Sequence, residues 1–465
     1  MPLDAAAHVN AAQRGGYFWS NETIMRIAVI GLGKLGAPLA AVLASRGNEV
    51  VGIDLNSGFV DAINQGRAPV VEPGLQECID LAGGRLRASS DFAAAIPGTD
   101  ISFVIVPTPS VDGVFTNRYV IDAVRRIGAA LRGTDRYHVV NITSTVMPGS
   151  TGGEIRAALE EASGRVVGQT VGLTYNPEFI ALGSVVRDLL HPDMLLIGES
   201  DVRAGDVLEA SYRATLPVMP PVRRMGWVNA ELAKISVNTF VTTKISYANM
   251  LAEICEHLPG ADVDVVTAAI GADSRIGGKY LRGALGYGGP CFPRDNVAFA
   301  QLARRVGAVA DIAEATDAIN RRQVDRIVSL VERLGGVNCA VAVLGLAYKP
   351  QTPVVEESQG VMIARRLAQA GHAVVVADPL ALDGAGAVLG DSVLAAATAE
   401  AAISMAEIVV VTTPAAEFAA LSPGAFTADG RRRIVVDCWR ILPASIGEVA
   451  DIVHVGRGPA EGAGR

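Results

Sequence analysis

The chain has 465 residues, a length that asks for two or three domains and excludes a single small module. Half of the residues are hydrophobic and 19% are charged, and 50 glycines with 23 prolines are too few for a low-complexity chain, so a core-forming globular protein is expected. The formal charge of −8 excludes a global attraction to nucleic acid or acidic membranes, and any anionic ligand needs a local positive site.

Residues 1–24 carry no basic start followed by an apolar stretch and read as a loose extension. The first organised segment, Arg26 to Asp54, is a β-branched run, a glycine-rich turn, a helix without breakers and a second apolar run, which is a βαβ unit. Gly31, Gly33 and Gly36 form G-x-G-x-x-G directly after the strand, a pattern that lets a backbone approach a pyrophosphate at a helix N-terminus. Asp54 ends the second strand, where a carboxylate accepts from the adenosine 2′-OH and repels a 2′-phosphate, so NAD is favoured over NADP. Further strands are expected within Ile101–Pro109 and Tyr137–Gly149, with Thr108 and Thr145 at their ends as cofactor-edge candidates or helix caps. Glu178 follows another strand-like run, between Pro177 and Phe179, as a base or a surface acid.

From Trp227 to about His257 no glycine or proline interrupts about 30 residues, which predicts a helix roughly 45 Å long. Glu231, Lys234 and Asn238 share one face of it, as a site or as a solvated stripe. Asp273 to Asp295 then holds six glycines and two prolines, with Cys291 and Asp295 four apart at a helix start. Helix N–H groups and neighbouring cations are expected to lower the pKa of a thiol there and so favour the thiolate that attacks a carbonyl carbon. The other cysteines, 78, 255, 339 and 438, read as small buried hydrophobes; with no CxxC pair, neither disulfide framework nor metal site is expected, and a cytoplasmic location fits. The last third repeats the strand–turn–helix pattern from Cys339, with GLAYKP replacing the glycine fingerprint and Lys349 offering a point charge to an anion.

GLGKLG with Asp54, STVMPGST, NPEF, AELAKISVN, GGPCFPRD and GLAYKP, in this order, resemble the UDP-glucose/GDP-mannose dehydrogenase family across residues 25–442. The resemblance implies an α/β fold of two doubly wound Rossmann-like domains joined by a long central helix and a small helical domain. The boundaries expected are an NAD-binding domain over 25–222, a central dimerisation domain with the cysteine loop over 223–325, and a nucleotide-sugar-binding domain over 326–465. It implies a four-electron, NAD-dependent oxidation of a nucleotide-sugar C6 alcohol to a uronic acid, with UDP-glucose as the expected substrate. Cys291 would form a thiohemiacetal and then a thioester, Lys234 and Asn238 would bracket the C6 oxygen, and Asp295 would work on a water with Lys234. Glu178 would be the base for thioester hydrolysis, and Thr145 would orient water near the nicotinamide. Leu35 and Arg294 join the expected cofactor contacts. Phe179, Tyr280, Leu281, Arg282, Gly283, Ala284, Gly288, Lys349 and Arg440 would line the sugar nucleotide, while Arg275 would reach the neighbouring subunit of a homodimer or larger homo-oligomer. No nucleic-acid or membrane partner is expected.

Three positions depart from the family pattern: Leu182 replaces a second carboxylate, Glu356 stands where an arginine usually contacts cofactor, and Phe59 stands where a lysine often approaches the ribose. Two alternatives therefore accompany the main reading. One is a two-electron dehydrogenase of the 6-phosphogluconate or hydroxyacyl type, which needs no cysteine, and the other is an NAD-binding protein with impaired catalysis. Among nucleotide sugars, UDP-N-acetylhexosamines and GDP-mannose are the alternatives to UDP-glucose.

Overall fold

The computed structural model describes residues 24–427 and 430–460. The extension expected over 1–24 lies, apart from Ile24, outside the described residues. The chain divides into two compact units, 1–107 with 119–144 and 151–227, and 108–118 with 145–150 and 228–465.

The first unit is built on β1 (Arg26–Ile30), β2 (Glu49–Ile53), β3 (Leu86–Ser89) and β4 (Ile101–Val104). A two-residue hairpin, β5 (Ser110–Val111) and β6 (Val114–Phe115), belongs to the second unit. The first sheet continues with β7 (Val139–Ile142), β8 (Gly172–Tyr175), β9 (Leu195–Glu199) and β10 (Val222–Met225), in the order β10-β9-β8-β7-β4-β1-β2-β3. Within this sheet, among the described residues, only β8 and β9 pair antiparallel. Helices cover both faces, so β4, β7 and β8 are buried along their whole length, which is why they read as unbroken apolar runs and not as alternation. The helix Gly36–Ser45 is buried from Gly36 to Ala44, and its alanines let it lie close to the sheet. The sequence predicts a longer strand from Ile101 than forms: the strand ends at Val104, Ile105 N still donates to Ile30 O, and Val106 N leaves the ladder for Ser144 Oγ at 2.9 Å.

The second unit carries the helix Trp227–Glu256, whose 30 residues match the predicted uninterrupted segment. Then come the helices Val263–Gly271, Phe292–Arg305 and Asp311–Gly335. A second sheet follows, from β11 (Ala340–Leu344), β12 (Ala373–Ala377), β13 (Leu394–Ala395), β14 (Ile408–Val411), β15 (Ile434–Asp437) and β16 (Asp451–His454), all parallel in the order β13-β12-β11-β14-β15-β16. Each sheet reverses direction beside its first strand, between β1 and β4 and between β11 and β14. The C-terminal ends of these strand pairs are the crevices in which doubly wound sheets hold ligands. Among the described residues no helix is long and apolar enough to cross a membrane.

Candidate active site

In the first unit the glycine-rich turn has the form a pyrophosphate needs. Gly31 has φ +96°, and a Cβ there would meet Ile105 O at 2.5 Å; a Cβ on Gly36 would lie 1.8 Å from Gly31 O. Gly33, by contrast, has nothing within 4 Å of a Cβ, so its backbone faces open space. The helix that follows has Leu35 at its N-cap with no side-chain cap; Ala37 N donates to Gly33 O and Pro38 has no N–H, which leaves the N–H groups of Leu35 and Gly36 for an anion. Asp54 braces the turn: its Oδ2 accepts from Leu32 N at 2.6 Å and its Oδ1 from Asn56 N at 2.8 Å. Phe59 packs against the core of this unit along with Leu35.

The second sheet repeats the bracing and not the opening. Asp378 accepts from Leu346 N at 2.6 Å and Ala347 N at 3.0 Å, and a Cβ on Gly360 would lie 2.0 Å from Gly345 O, as Gly36 does from Gly31. Here, however, Ser358 caps the helix through a bond from Val361 N, and Thr413 Oγ1 sits 2.5 Å from where a Gly345 Cβ would be. The first turn therefore suits a dinucleotide and the second does not, in line with its altered fingerprint.

The Glu178 loop leaves β8 at Asn176. Tyr212 Oη donates to Glu178 Oε1 at 3.0 Å and also reaches Asn176 Oδ1, whose amide is oriented by its own bond from Nδ2 to Leu196 O at 3.0 Å. Burial, then the charge of Glu178, pushes the Tyr212 hydroxyl well above its usual range, so it stays a protonated donor. Leu182, in place of a second carboxylate, packs against the apolar core, and Phe179 is half-buried. Glu72 accepts from Gly183 N at 3.0 Å and Val185 N at 2.8 Å and fixes the far end of the loop.

In the second unit Cys291 is the N-cap of the helix Phe292–Arg305 and the only exposed cysteine; the other four are buried, as expected. The expected lowering of its pKa is corrected by the structure. Although accessible, Cys291 is closely surrounded by protein, and this burial, followed by the charge of Asp295, pushes the thiol up, against the opposing pull of Arg294 and Lys234. Asp295 is 1% exposed and accepts from Asn238 Nδ2 at 2.6 Å and from Arg294 at 3.2 Å. Arg294 also donates to Thr108 O at 3.2 Å and stacks over Phe115 at 4.6 Å, and Thr108 Oγ1 donates to Thr145 O at 2.8 Å. Thr108 and Thr145 are thus tied to the cysteine helix through Arg294, and the Thr108 hydroxyl is committed to that tie.

Glu231, Lys234 and Asn238 are all buried, so their face is not a solvated stripe. It continues through Thr242, Ser246 and Asn249, likewise buried, at spacings of three or four. Glu231 accepts from Gly149 N at 2.6 Å, Ser246 donates to Thr316 O, and Asn249 holds both Ala284 N (2.8 Å) and Leu285 O (2.9 Å). Gly283 comes so close to this helix that a Cβ would lie 2.4 Å from Ala248 O, and Gly288 so close to the 348–357 loop that a Cβ would lie 2.2 Å from Glu357 O. Tyr280 takes φ 65° and packs edge-on to Phe292, Leu281 is buried, and Arg282 donates to Trp439 O. Lys349 lies 5.9 Å from the Tyr348 ring. Glu356 contributes its carbonyl, which accepts from Gly289 N, while its side chain is exposed.

Two arginines are already engaged. Arg440, φ 55°, has a 1% exposed side chain that pairs with Asp264 at 2.6 Å and donates to Gly283 O at 2.7 Å, so it shapes the 280–284 segment from behind. Arg275 pairs with Asp273 at 2.6 Å and is 86% exposed. The residues missed in the sequence are Tyr212, Asn176, Phe115 and Asn249; Asn249, eleven residues after Asn238 and so on the same face, was the legible one.

A dinucleotide-ready Rossmann turn, together with a second doubly wound sheet carrying a closed version of it, defines an NAD-dependent oxidoreductase with a separate domain for its substrate. Family models match the chain throughout: the NAD binding domain of the UDP-glucose/GDP-mannose dehydrogenase family over residues 25–216, its central domain over 228–322 and its UDP binding domain over 342–444. The chain belongs to this family and is an NAD-dependent nucleotide-sugar dehydrogenase. It is 38% identical over 423 residues to the UDP-glucose 6-dehydrogenase AglM of Haloferax volcanii, covering 90% of this chain and 97% of that protein. It is 35% identical over 359 residues to the GDP-mannose 6-dehydrogenase of Pseudomonas putida, covering 76% and 81%. A UDP-glucose dehydrogenase structure from Pyrobaculum islandicum superposes with a TM-score of 0.86 at 36% identity, over 95% of this chain and all of that one.

Proposed function

We propose that this enzyme converts UDP-glucose to UDP-glucuronate in two successive oxidations at C6. The 38% identity to a UDP-glucose 6-dehydrogenase that is covered to 97%, with the UDP-glucose dehydrogenase fold that superposes at a TM-score of 0.86, supports that sugar. The observation that carries the reaction is an accessible Cys291 at a helix start, one turn from a buried Asp295 that is bonded to Asn238. NAD, bound at the Gly31–Gly36 turn, supplies the two-electron acceptor for each oxidation.

Lys234 and Asn238 hold the C6 oxygen and stabilise the negative charge that develops on it, while Asp295 with Lys234 handles the proton of the alcohol through a water. Cys291 adds its sulfur to the aldehyde carbon as the thiol proton passes to the C6 oxygen, giving a thiohemiacetal, so the intermediate stays bound until the second oxidation makes it a thioester. Glu178 then takes a proton from the water that hydrolyses the thioester, and Thr145 orients water beside the nicotinamide. The 280–284 segment with Phe179, Gly288 and Lys349 lines the nucleotide sugar. The functional boundaries follow as NAD binding over 25–222, the cysteine loop over 223–325 and sugar-nucleotide binding over 326–465.

The active form in this reading is a homodimer formed through the long helix, on which Phe240, Tyr247 and Ile254 are exposed at intervals of seven residues. Arg275 then reaches the partner's site. Five free thiols suit the reducing cytoplasm. The test is NADH formed per mole of sugar consumed, over a panel of UDP- and GDP-sugars. Two NADH on UDP-glucose establish the reading, and one NADH on any sugar replaces it with a simple alcohol dehydrogenase.

A further inference from the structure

We propose that Tyr212 is the positioning residue that holds Glu178 in both of its protonation states; this rests on the reading of Glu178 as the base for thioester hydrolysis. Tyr212 is 4% exposed, its ring lies edge-on to Phe103 at 6.2 Å, and its hydroxyl faces two acceptors, Glu178 Oε1 at 3.0 Å and Asn176 Oδ1. A phenol has one proton to give. Asn176 cannot turn its amide to help, because Nδ2 is bound to Leu196 O inside the sheet.

While Glu178 is ionised, the phenol proton goes to the carboxylate, the stronger acceptor. During hydrolysis the water oxygen bonds to the thioester carbon, its proton passes to Glu178, and the carbon–sulfur bond breaks to release the carboxylic acid and the Cys291 thiolate. Glu178 now carries a proton and the same contact reverses: its O–H donates to Tyr212 Oη, and the phenol turns its proton to Asn176 Oδ1. The ionised state gives the single proton to the carboxylate and the protonated state pairs all three groups in a chain; the Glu178–Tyr212 contact persists in both, so the base changes charge without moving. The loop needs such a device because Leu182 brings no second carboxylate to share the proton.

The experiment is rapid-mixing kinetics of the full enzyme with UDP-glucose and NAD, following NADH. For Tyr212→Phe, which keeps the ring, the expected result is an unchanged rate for the first oxidation and a burst of two NADH per site. A steady state slowed roughly tenfold or more follows the burst, with the acid limb of kcat moved to higher pH because the carboxylate has lost a donor. Should that variant fold poorly, 3-fluorotyrosine at position 212 keeps the shape and donates more strongly, and the limb moves to lower pH. Wild-type hydrolysis and an unmoved acid limb in Tyr212→Phe would overturn the role of Tyr212 while Glu178→Gln still stalls after the burst. Normal turnover in Glu178→Gln would remove the base itself and the proposal with it.

Discussion

Asn238 donates to Asp295 over 2.6 Å, and this bond joins the buried polar face of the long helix to the helix that begins at Cys291. Asp295 balances donors from two sides, Asn238 and Arg294, at 1% exposure. Two effects of changing it can therefore be separated. Asp295→Ala leaves both donors without their acceptor and is expected to cost about 3 kcal/mol of stability. Asp295→Asn keeps the volume and an acceptor for Asn238, so its melting temperature stays close to wild type, while kcat falls at least a hundredfold. Equal losses of melting temperature in the two variants would assign Asp295 a purely structural part.

Cys291 is expected to be indispensable to the overall reaction and dispensable to cofactor binding. Cys291→Ala retains NAD affinity, measured by fluorescence titration, and yields no uronic acid. Full acid production by this variant would remove the thioester route.

The raised thiol of Cys291 has a consequence in the ligand-free enzyme. Only the thiolate is alkylated, so the rate of iodoacetamide modification should still be climbing at pH 9, where a helix-activated thiol would already have levelled off. Because the charge of Asp295 contributes after burial to this rise, Asp295→Asn moves the alkylation midpoint to lower pH, and Lys234→Gln moves it to higher pH. A plateau below pH 8 in the wild type would contradict the burial argument.

The last two glycines of the first turn should fail in different ways. Gly36→Ala puts a Cβ 1.8 Å from Gly31 O and cannot be accommodated without moving the helix, so the protein loses stability and NAD binding together. Gly33→Ala meets nothing within 4 Å, so its melting temperature holds while NAD affinity, read by titration calorimetry, drops at least tenfold because the methyl occupies the space of the pyrophosphate. Undiminished affinity in Gly33→Ala would move the cofactor's phosphates away from this turn.

Much of this was legible in the sequence because the signals were local. The fingerprint turn, the 30-residue helix and the helix start at Cys291 each depend on residues within one or two turns of one another. The missed features depend on tertiary neighbours. Tyr212 meets Glu178 only because β9 pairs antiparallel to β8 and the helix Val202–Arg213 returns over the sheet, 34 residues along the chain. The direction of the thiol pKa is hidden for a similar reason: the helix start and Arg294 are visible in the sequence, whereas burial, the larger effect, is not. The polar face of the long helix continues past Asn238 to Asn249 at the same spacing and there holds the segment expected to line the sugar.

His138 gives the fold a predictable sensitivity to acid. It is 1% exposed and Nδ1 donates to Thr99 O at 3.1 Å; burial keeps the imidazole neutral, and Nε2 then accepts from Ser102 Oγ at 2.8 Å. Burial lowers its pKa from 6.5 to about 4. Above pH 6.5 neither folded nor unfolded chain protonates this ring, and its contribution is intact. As pH falls from 6.5 towards 4 the unfolded chain takes up the proton first and stability is lost, by about 3 kcal/mol in all. Below 4 both states are protonated and the loss levels off. Urea unfolding at a series of pH values should show this slope in the wild type and a shallower one in His138→Gln, which has no proton to gain. Parallel curves for the two proteins would mean that burial does not hold the ring neutral in the folded chain.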